Sequence, residues 1–183
     1  MANSRDPAKK EAKILLMGLD NSGKTSIMLS LQQNTNLLTF CKLSPTKGVS
    51  IENLETDDYL MNVWDFGGQE KYRIEYLNHF KKYSSKVDKI LYIIDVQDIK
   101  RYGLALEYLE KIIVQLYKIN LKPELSIYVH KYDPGIKNKI GFEDIDEKIY
   151  SQLIPKIKEL TEEFSSQIFK SSIYTTFERE LIT

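Results

Sequence analysis

A chain of 183 residues with 26 Lys plus Arg against 26 Asp plus Glu carries no net charge, so it lacks the basic footprint of a nucleic-acid binder. It is long enough for one substantial core, and its single cysteine, Cys41, excludes an internal disulfide framework and reads as an ordinary small residue in a reducing, cytoplasmic setting. No apolar run approaches the length of a membrane span, the charged opening from Met1 to Ala12 has no apolar signal core, Ala2 removes N-myristoylation and the end offers no prenylation cysteine, so no intrinsic membrane anchor is expected.

In chain order, the polar residues 1–12 predict a flexible N-terminal arm, and residues 13–183 a single domain. A strand is expected over 13–17. It runs into Gly18-Leu19-Asp20-Asn21-Ser22-Gly23-Lys24-Thr25, after which helical spacing continues to about Gln33. This is the G-x-x-x-x-G-K-[ST] phosphate loop in its required setting, a strand before and a helix after. Gly18 and Gly23 let the backbone wrap so that successive N–H groups point inward, and the helix start adds its positive end. Lys24 is placed to reach the β- and γ-phosphates and the Thr25 hydroxyl to ligate Mg²⁺. The phosphate-binding set is therefore Asp20, Asn21, Ser22, Gly23, Lys24, Thr25 and Ser26.

Residues 34–47 read as a mobile loop, and Val49 to Leu54 with Tyr59 to Trp64 as an antiparallel hairpin turned by Glu55 to Asp58. Asp65-Phe66-Gly67-Gly68-Gln69-Glu70 follows the second strand, and 71–83 reads as irregular helix. The continuous apolar run Ile90 to Ile94 predicts a buried parallel strand. A long helix is expected over Gly103 to Ile119, a strand over Leu125 to Val129, and helix over 143–164, interrupted near Pro155. A short strand at Gln167 to Lys170 and a brief helix over 175–183 close the chain. Strands alternating with helices predict a mainly parallel α/β sheet whose ligands bind beyond the carboxyl ends of the strands. The phosphate loop, Asp65, His130 to Asp133 and Ser171 to Ile173 all follow predicted strands and so converge on that edge.

These motifs in this order resemble the small GTPases over roughly residues 13–175. Gly18-Leu19-Asp20 and Trp64 to Glu70 are similar to the Arf family. His130-Lys131-Tyr132-Asp133 and Ser171-Ser172-Ile173-Tyr174 look more like the Rag (Gtr) GTPases. The resemblance implies a P-loop NTPase G domain, a three-layer α/β/α fold with a six-stranded, mostly parallel sheet and one antiparallel hairpin strand. It also implies a guanine-nucleotide switch that slowly hydrolyses GTP to GDP and phosphate with Mg²⁺.

Residue by residue, the resemblance makes Asp65 the aspartate that holds Mg²⁺ through water. It makes Gly68 the glycine whose N–H senses the γ-phosphate, and Gln69 the residue that orients the attacking water. Thr46, in Pro45-Thr46-Lys47-Gly48, matches the threonine that binds Mg²⁺ and the γ-phosphate in the triphosphate state. The implied catalytic residues are thus Gln69 and Lys24, and the metal ligands Thr25, Thr46 and Asp65. Asp133 accepts from guanine N1–H and N2–H₂, a pair adenine does not offer. Lys131 lies along the base, and Ser172 with Ile173 meets it from the following loop.

His130 departs from the usual asparagine and is read either as a base-loop ligand or as a strand-end residue without a ligand role. Asp95 and His79 read as structural, and Arg73 is the nearest, weak candidate for a built-in arginine finger. Tyr72, Tyr76, Phe80 and Tyr83 are open between an effector face and core packing. The expected partners are GTP or GDP and protein effectors, activators and exchange factors acting on the switch loops. A dimer with a related GTPase is compatible with the Rag resemblance. The alternatives are a non-hydrolysing nucleotide-binding scaffold of a Rag-like complex and, behind it, a P-loop kinase or ATPase.

Overall fold

The computed structural model describes residues 9–32, 39–40 and 42–174. Its centre is a six-stranded sheet in the order β2-β3-β1-β4-β5-β6. The strands are β1 (Lys10–Gly18), β2 (Val49–Glu55), β3 (Tyr59–Phe66), β4 (Lys89–Asp95), β5 (Glu124–His130) and β6 (Ser166–Lys170). Only the β2–β3 hairpin is antiparallel; β3–β1, β1–β4, β4–β5 and β5–β6 are parallel. The expected fold class is the one observed.

Side-chain alternation divides the core between the two faces of the sheet. On one face α1 (Lys24–Ser30) lays Ile27 and Met28 against Leu16, Val63, Leu91 and Ile93. On the other face lie α2 (Glu70–Asn78), α3 (Phe80–Tyr83) and α4 (Tyr102–Lys118). With them packs a helical run made of α5 (Ile145–Lys148), a π-turn segment (Ile149–Leu153) and α6 (Ile154–Thr161). Leu109, Ile112 and Leu116 of α4 and Ile149, Leu153 and Ile157 of the run meet Leu15, Tyr92, Ile94 and Ile127 of the strands there. β4 is covered on both faces, which is why Ile90 to Ile94 is an unbroken apolar run.

Several boundaries differ from the sequence reading, for physical reasons. β1 begins at Lys10, not residue 13, because Lys10, Glu11 and Ala12 pair with Tyr59, Leu60 and Met61 of the hairpin. Tertiary pairing there overrides a polar local sequence, and residues 10–12 are strand, not arm. β3 extends two residues, so Asp65 stands within the strand opposite Leu16. The helix after the phosphate loop ends at Ser30. The stretch 71–83 is two helices broken at His79. The interruption near Pro155 is a π-turn segment before α6, where Pro155 occupies the first turn that lacks intrahelical N–H partners. The arm over 1–8, the loop residues 33–38, Cys41 and the closing helix over 175–183 lie outside the described residues.

Candidate functional site

The loop between β1 and α1 takes its shape from the backbone. Asn21 and Gly23 both have positive φ, 59° and 94°. Gly23 also admits no side chain: a Cβ there would lie 2.6 Å from His130 Cδ2 and 2.8 Å from Nε2. The result is a cavity of about 220 Å³ lined by residues 20–26, 43–46 and 67–69. Gly68 closes its other wall, approaching so tightly that a Cβ would fall 2.1 Å from the Asp20 backbone nitrogen. The structure therefore brings Thr46, Gly68 and Gln69 to the phosphate-loop residues, from segments far apart in sequence.

Lys24 is 5% exposed, and its Nζ donates to the Leu19 carbonyl at 2.6 Å and the Ser22 hydroxyl at 3.4 Å. Burial pushes its pKa down to about 8, against the opposing pull of Asp65 and Asp20. A desolvated ammonium at the bottom of a polar cavity is a strong partner for an anion.

Thr25, Thr46 and Asp65 form one cluster. The Thr25 hydroxyl donates to Asp65 Oδ2 at 2.6 Å, Thr46 Oγ1 reaches the same oxygen at 2.9 Å, and the two hydroxyls are 3.0 Å apart. Asp65 is fully buried, and its Oδ1 has no hydrogen-bond partner. A buried carboxylate with an orphaned oxygen beside two hydroxyls is an all-oxygen donor set, which suits a hard cation such as Mg²⁺.

Beside the cavity, the β5–α5 connection is tied to the phosphate loop. Lys131, itself at φ 62°, donates to the Asn21 carbonyl at 2.6 Å and pairs with Asp95 at 2.7 Å. Asp95, read as structural, thus holds Lys131 in place. Asp133 accepts from the Ser172 hydroxyl at 2.5 Å on Oδ1 and from Gln97 Nε2 at 2.8 Å on Oδ2. The His130 ring fills the space against Gly23, and its Nδ1 is 2.9 Å from the Ser171 hydroxyl. The imidazole therefore spans the phosphate loop and the loop after β6. Ile173 is exposed at the end of this region.

Two residues were not found from the sequence. Gln97 also donates to the Lys131 carbonyl at 2.8 Å, and so orients both the lysine and the aspartate of that loop. Arg101 donates to Asp20 Oδ1 at 2.9 Å and to Asp98 at 2.5 Å, tethering the phosphate loop to the start of α4. Only the Asp98-x-x-Arg101 spacing marked the arginine, and nothing marked the glutamine. Arg73 donates to the Gly68 carbonyl at 3.0 Å and lies over Tyr108, so it braces Gly68 from outside the cavity.

The family model described as the ADP-ribosylation factor family, Arf, matches residues 1–177. The chain belongs to the Arf family. Among Arf relatives, ADP-ribosylation factor-like protein 3 of Chlamydomonas reinhardtii is 37% identical over 91 residues, 50% of this chain and 47% of that one. ADP-ribosylation factor-like protein 2 of Dictyostelium discoideum is 37% identical over 93 residues, 51% of this chain and 46% of the relative. The matched part of the chain spans about half the length of these curated relatives. Among solved structures, the Arl6 BBS3 small GTPase of Trypanosoma brucei, with bound nucleotide analogue GppNp, superposes with a TM-score of 0.68 at 20% identity. That match covers 89% of this chain and 87% of the neighbour, and establishes the shared fold. His130 and Ser171-Ser172-Ile173, whose sequence resembles the Rag GTPases, thus sit on an Arf-family chain. Among the described residues no helix is long and apolar enough to cross a membrane.

Proposed function

We propose that this Arf-family chain is a guanine-nucleotide switch, built as one G domain whose sheet begins at Lys10, that hydrolyses GTP slowly. The observation that carries the reading is the convergence of the buried Lys24, the Thr25–Thr46–Asp65 cluster and Gly68 on one cavity, coupled through Lys131 to Asp133. Residues 20–26 cradle the phosphates with backbone N–H groups, and Lys24 supplies the positive charge. Thr25, Thr46 and Asp65 would hold Mg²⁺, which supplies charge neutralisation on the phosphate oxygens. Asp133 selects guanine, with Lys131, Ser172 and Ile173 around the base.

Hydrolysis is attack of water on the γ-phosphorus with GDP leaving. Gln69 sits at the N-cap of α2, its carbonyl accepting from the Tyr72 and Arg73 N–H groups at 3.0 Å, which leaves its amide to orient that water. Gly68 offers its N–H to the transferring phosphoryl group. Among the described residues no arginine lines the cavity, and Arg73 is held by the Gly68 carbonyl, so an activator supplies the missing charge. Effectors and exchange factors act on the loops at 43–48 and 67–78, and the setting is cytoplasmic. Gln69→Leu is expected to slow single-turnover GTP hydrolysis by at least about 10²-fold with GDP affinity unchanged. Equal rates in the two proteins would remove Gln69 from the reaction and favour a non-hydrolysing scaffold. Competition for a fluorescent guanine nucleotide by GDP and GTP, with and without a Mg²⁺ chelator, tests the site as a whole.

His130 gives the site a pH dependence. Burial pushes its pKa below the ordinary value of 6.5, with Lys131 acting the same way and Asp95, Asp133 and Ser171 opposing. The folded chain therefore binds fewer protons at this residue than the unfolded chain. Its contribution is complete above about pH 6.5 and is lost as pH falls through the lowered value. GDP-bound protein is expected to melt earlier and release nucleotide faster as pH falls below about 6.5, and His130→Asn to flatten that part of the profile. A profile identical in wild type and variant contradicts the assignment.

A further inference from the structure

Two segments wall the proposed γ-phosphate position, and they meet at one carbonyl. Gly48 O accepts the Gly67 N–H at 2.9 Å and the Tyr76 hydroxyl at 2.7 Å. Gly48 lies two residues beyond Thr46, and Gly67 two residues beyond Asp65 and directly before Gly68. The first hydrogen bond is backbone to backbone, available to any sequence. The second depends on one side chain from the middle of α2.

Tyr76 is held there independently of that bond. It is 1% exposed, its ring is edge-on to Phe66 at 4.7 Å and to Tyr83 at 5.5 Å, and it stacks on Tyr72 at 6.4 Å. Of the four aromatics noted in the sequence, Tyr76 and Phe80 are thus core residues, while Tyr72 and Tyr83 are packed against that core. Burial raises the phenol well above its usual pKa, so the hydroxyl stays a donor at every working pH.

We propose that Tyr76 is a positioning residue that couples the two switch segments, its hydroxyl on the Gly48 carbonyl stabilising the arrangement in which Thr46 and Gly68 face the γ-phosphate together. This rests on the switch reading above. When the 43–48 loop withdraws, the hydroxyl loses its acceptor inside a packed aromatic cluster, where an unmet donor is costly. The bond therefore weights the equilibrium toward the closed, triphosphate-binding arrangement without touching nucleotide.

Tyr76→Phe removes the hydroxyl and keeps the ring packing. The test measures affinity for GDP and for a non-hydrolysable GTP analogue with Mg²⁺. It also follows fluorescence of Trp64, the sequence's single tryptophan, during exchange of one for the other. The expected result is GDP affinity within twofold of wild type, preference for the triphosphate lowered about fivefold, and a smaller Trp64 change at saturation. Tyr72→Phe, which strips the hydroxyl of the stacked neighbour, leaves all three unchanged. Triphosphate preference within twofold of wild type in Tyr76→Phe overturns the coupling. Hydrogen exchange on the wild-type chain gives the same answer without a variant. Segments 44–50 and 67–76 gain protection together when the analogue replaces GDP, and protection of one alone overturns the proposal. A wild-type chain that binds neither nucleotide overturns the site reading itself, and the coupling with it.

Discussion

Replacing Asp133 by asparagine is expected to lower GDP affinity by about 10³-fold or more and to raise affinity for xanthosine diphosphate. The carboxylate is fixed before any ligand arrives, with Ser172 on one oxygen and Gln97 on the other. An ionised carboxylate has roughly four acceptor sites, so both oxygens retain capacity for the guanine N1–H and N2–H₂ donors. Asparagine keeps one acceptor and turns an NH₂ toward the 2-amino group, donor against donor. Xanthine carries a carbonyl at that position and restores the match. A buried mismatch of this kind costs far more than a lost contact at the surface, because neither group finds water instead. Competition by GDP and XDP measures it, and a GDP affinity within tenfold of wild type would place Asp133 away from the base.

Lys24→Met is the second large effect. The ammonium is buried and its pKa is pushed down to about 8, so the fold holds a desolvated cation whose compensation in the ligand-free protein is incomplete. Anionic phosphate completes it. Methionine fills similar volume without charge, and truncating one partner of a buried charged pair costs roughly 2–5 kcal/mol. Affinity for GDP and GTP is expected to fall by about 10²–10³-fold, while the melting temperature of the nucleotide-free chain is unchanged or higher, since a buried ion has been replaced by an apolar group. Loss of affinity accompanied by an equal loss of ligand-free stability would make Lys24 a structural residue instead.

Both effects concern residues that the sequence itself exposes, and the reason is physical. The phosphate loop needs Gly18, Gly23, Lys24 and Thr25 at fixed spacing, because the backbone itself is the binding surface. The apolar run Ile90 to Ile94 needs no partner to be read as a buried strand. Legibility fails where a residue acts through a distant partner. Lys10 to Ala12 look like a polar arm until the hairpin pairs with them. Gln97 and Arg101 have ordinary neighbours in sequence and acquire meaning only when β4 and α4 set them beside Asp133 and Asp20. His130 reads in sequence only as a departure from the usual asparagine, yet its ring meets Ser171 and the bare backbone of Gly23. The Tyr76 hydroxyl belongs with these, since an aromatic at a buried helical position reads as packing and its one polar atom is silent.

The most direct test is a single-turnover assay of phosphate release by the purified chain with Mg²⁺, run on GTP and on ATP side by side. Phosphate is expected to leave bound GTP slowly, on the order of 10⁻⁴ to 10⁻² per second, with none released from ATP. Release from both nucleotides at similar rates, or GTP retained intact over many hours, would contradict a guanine-selective hydrolysing switch.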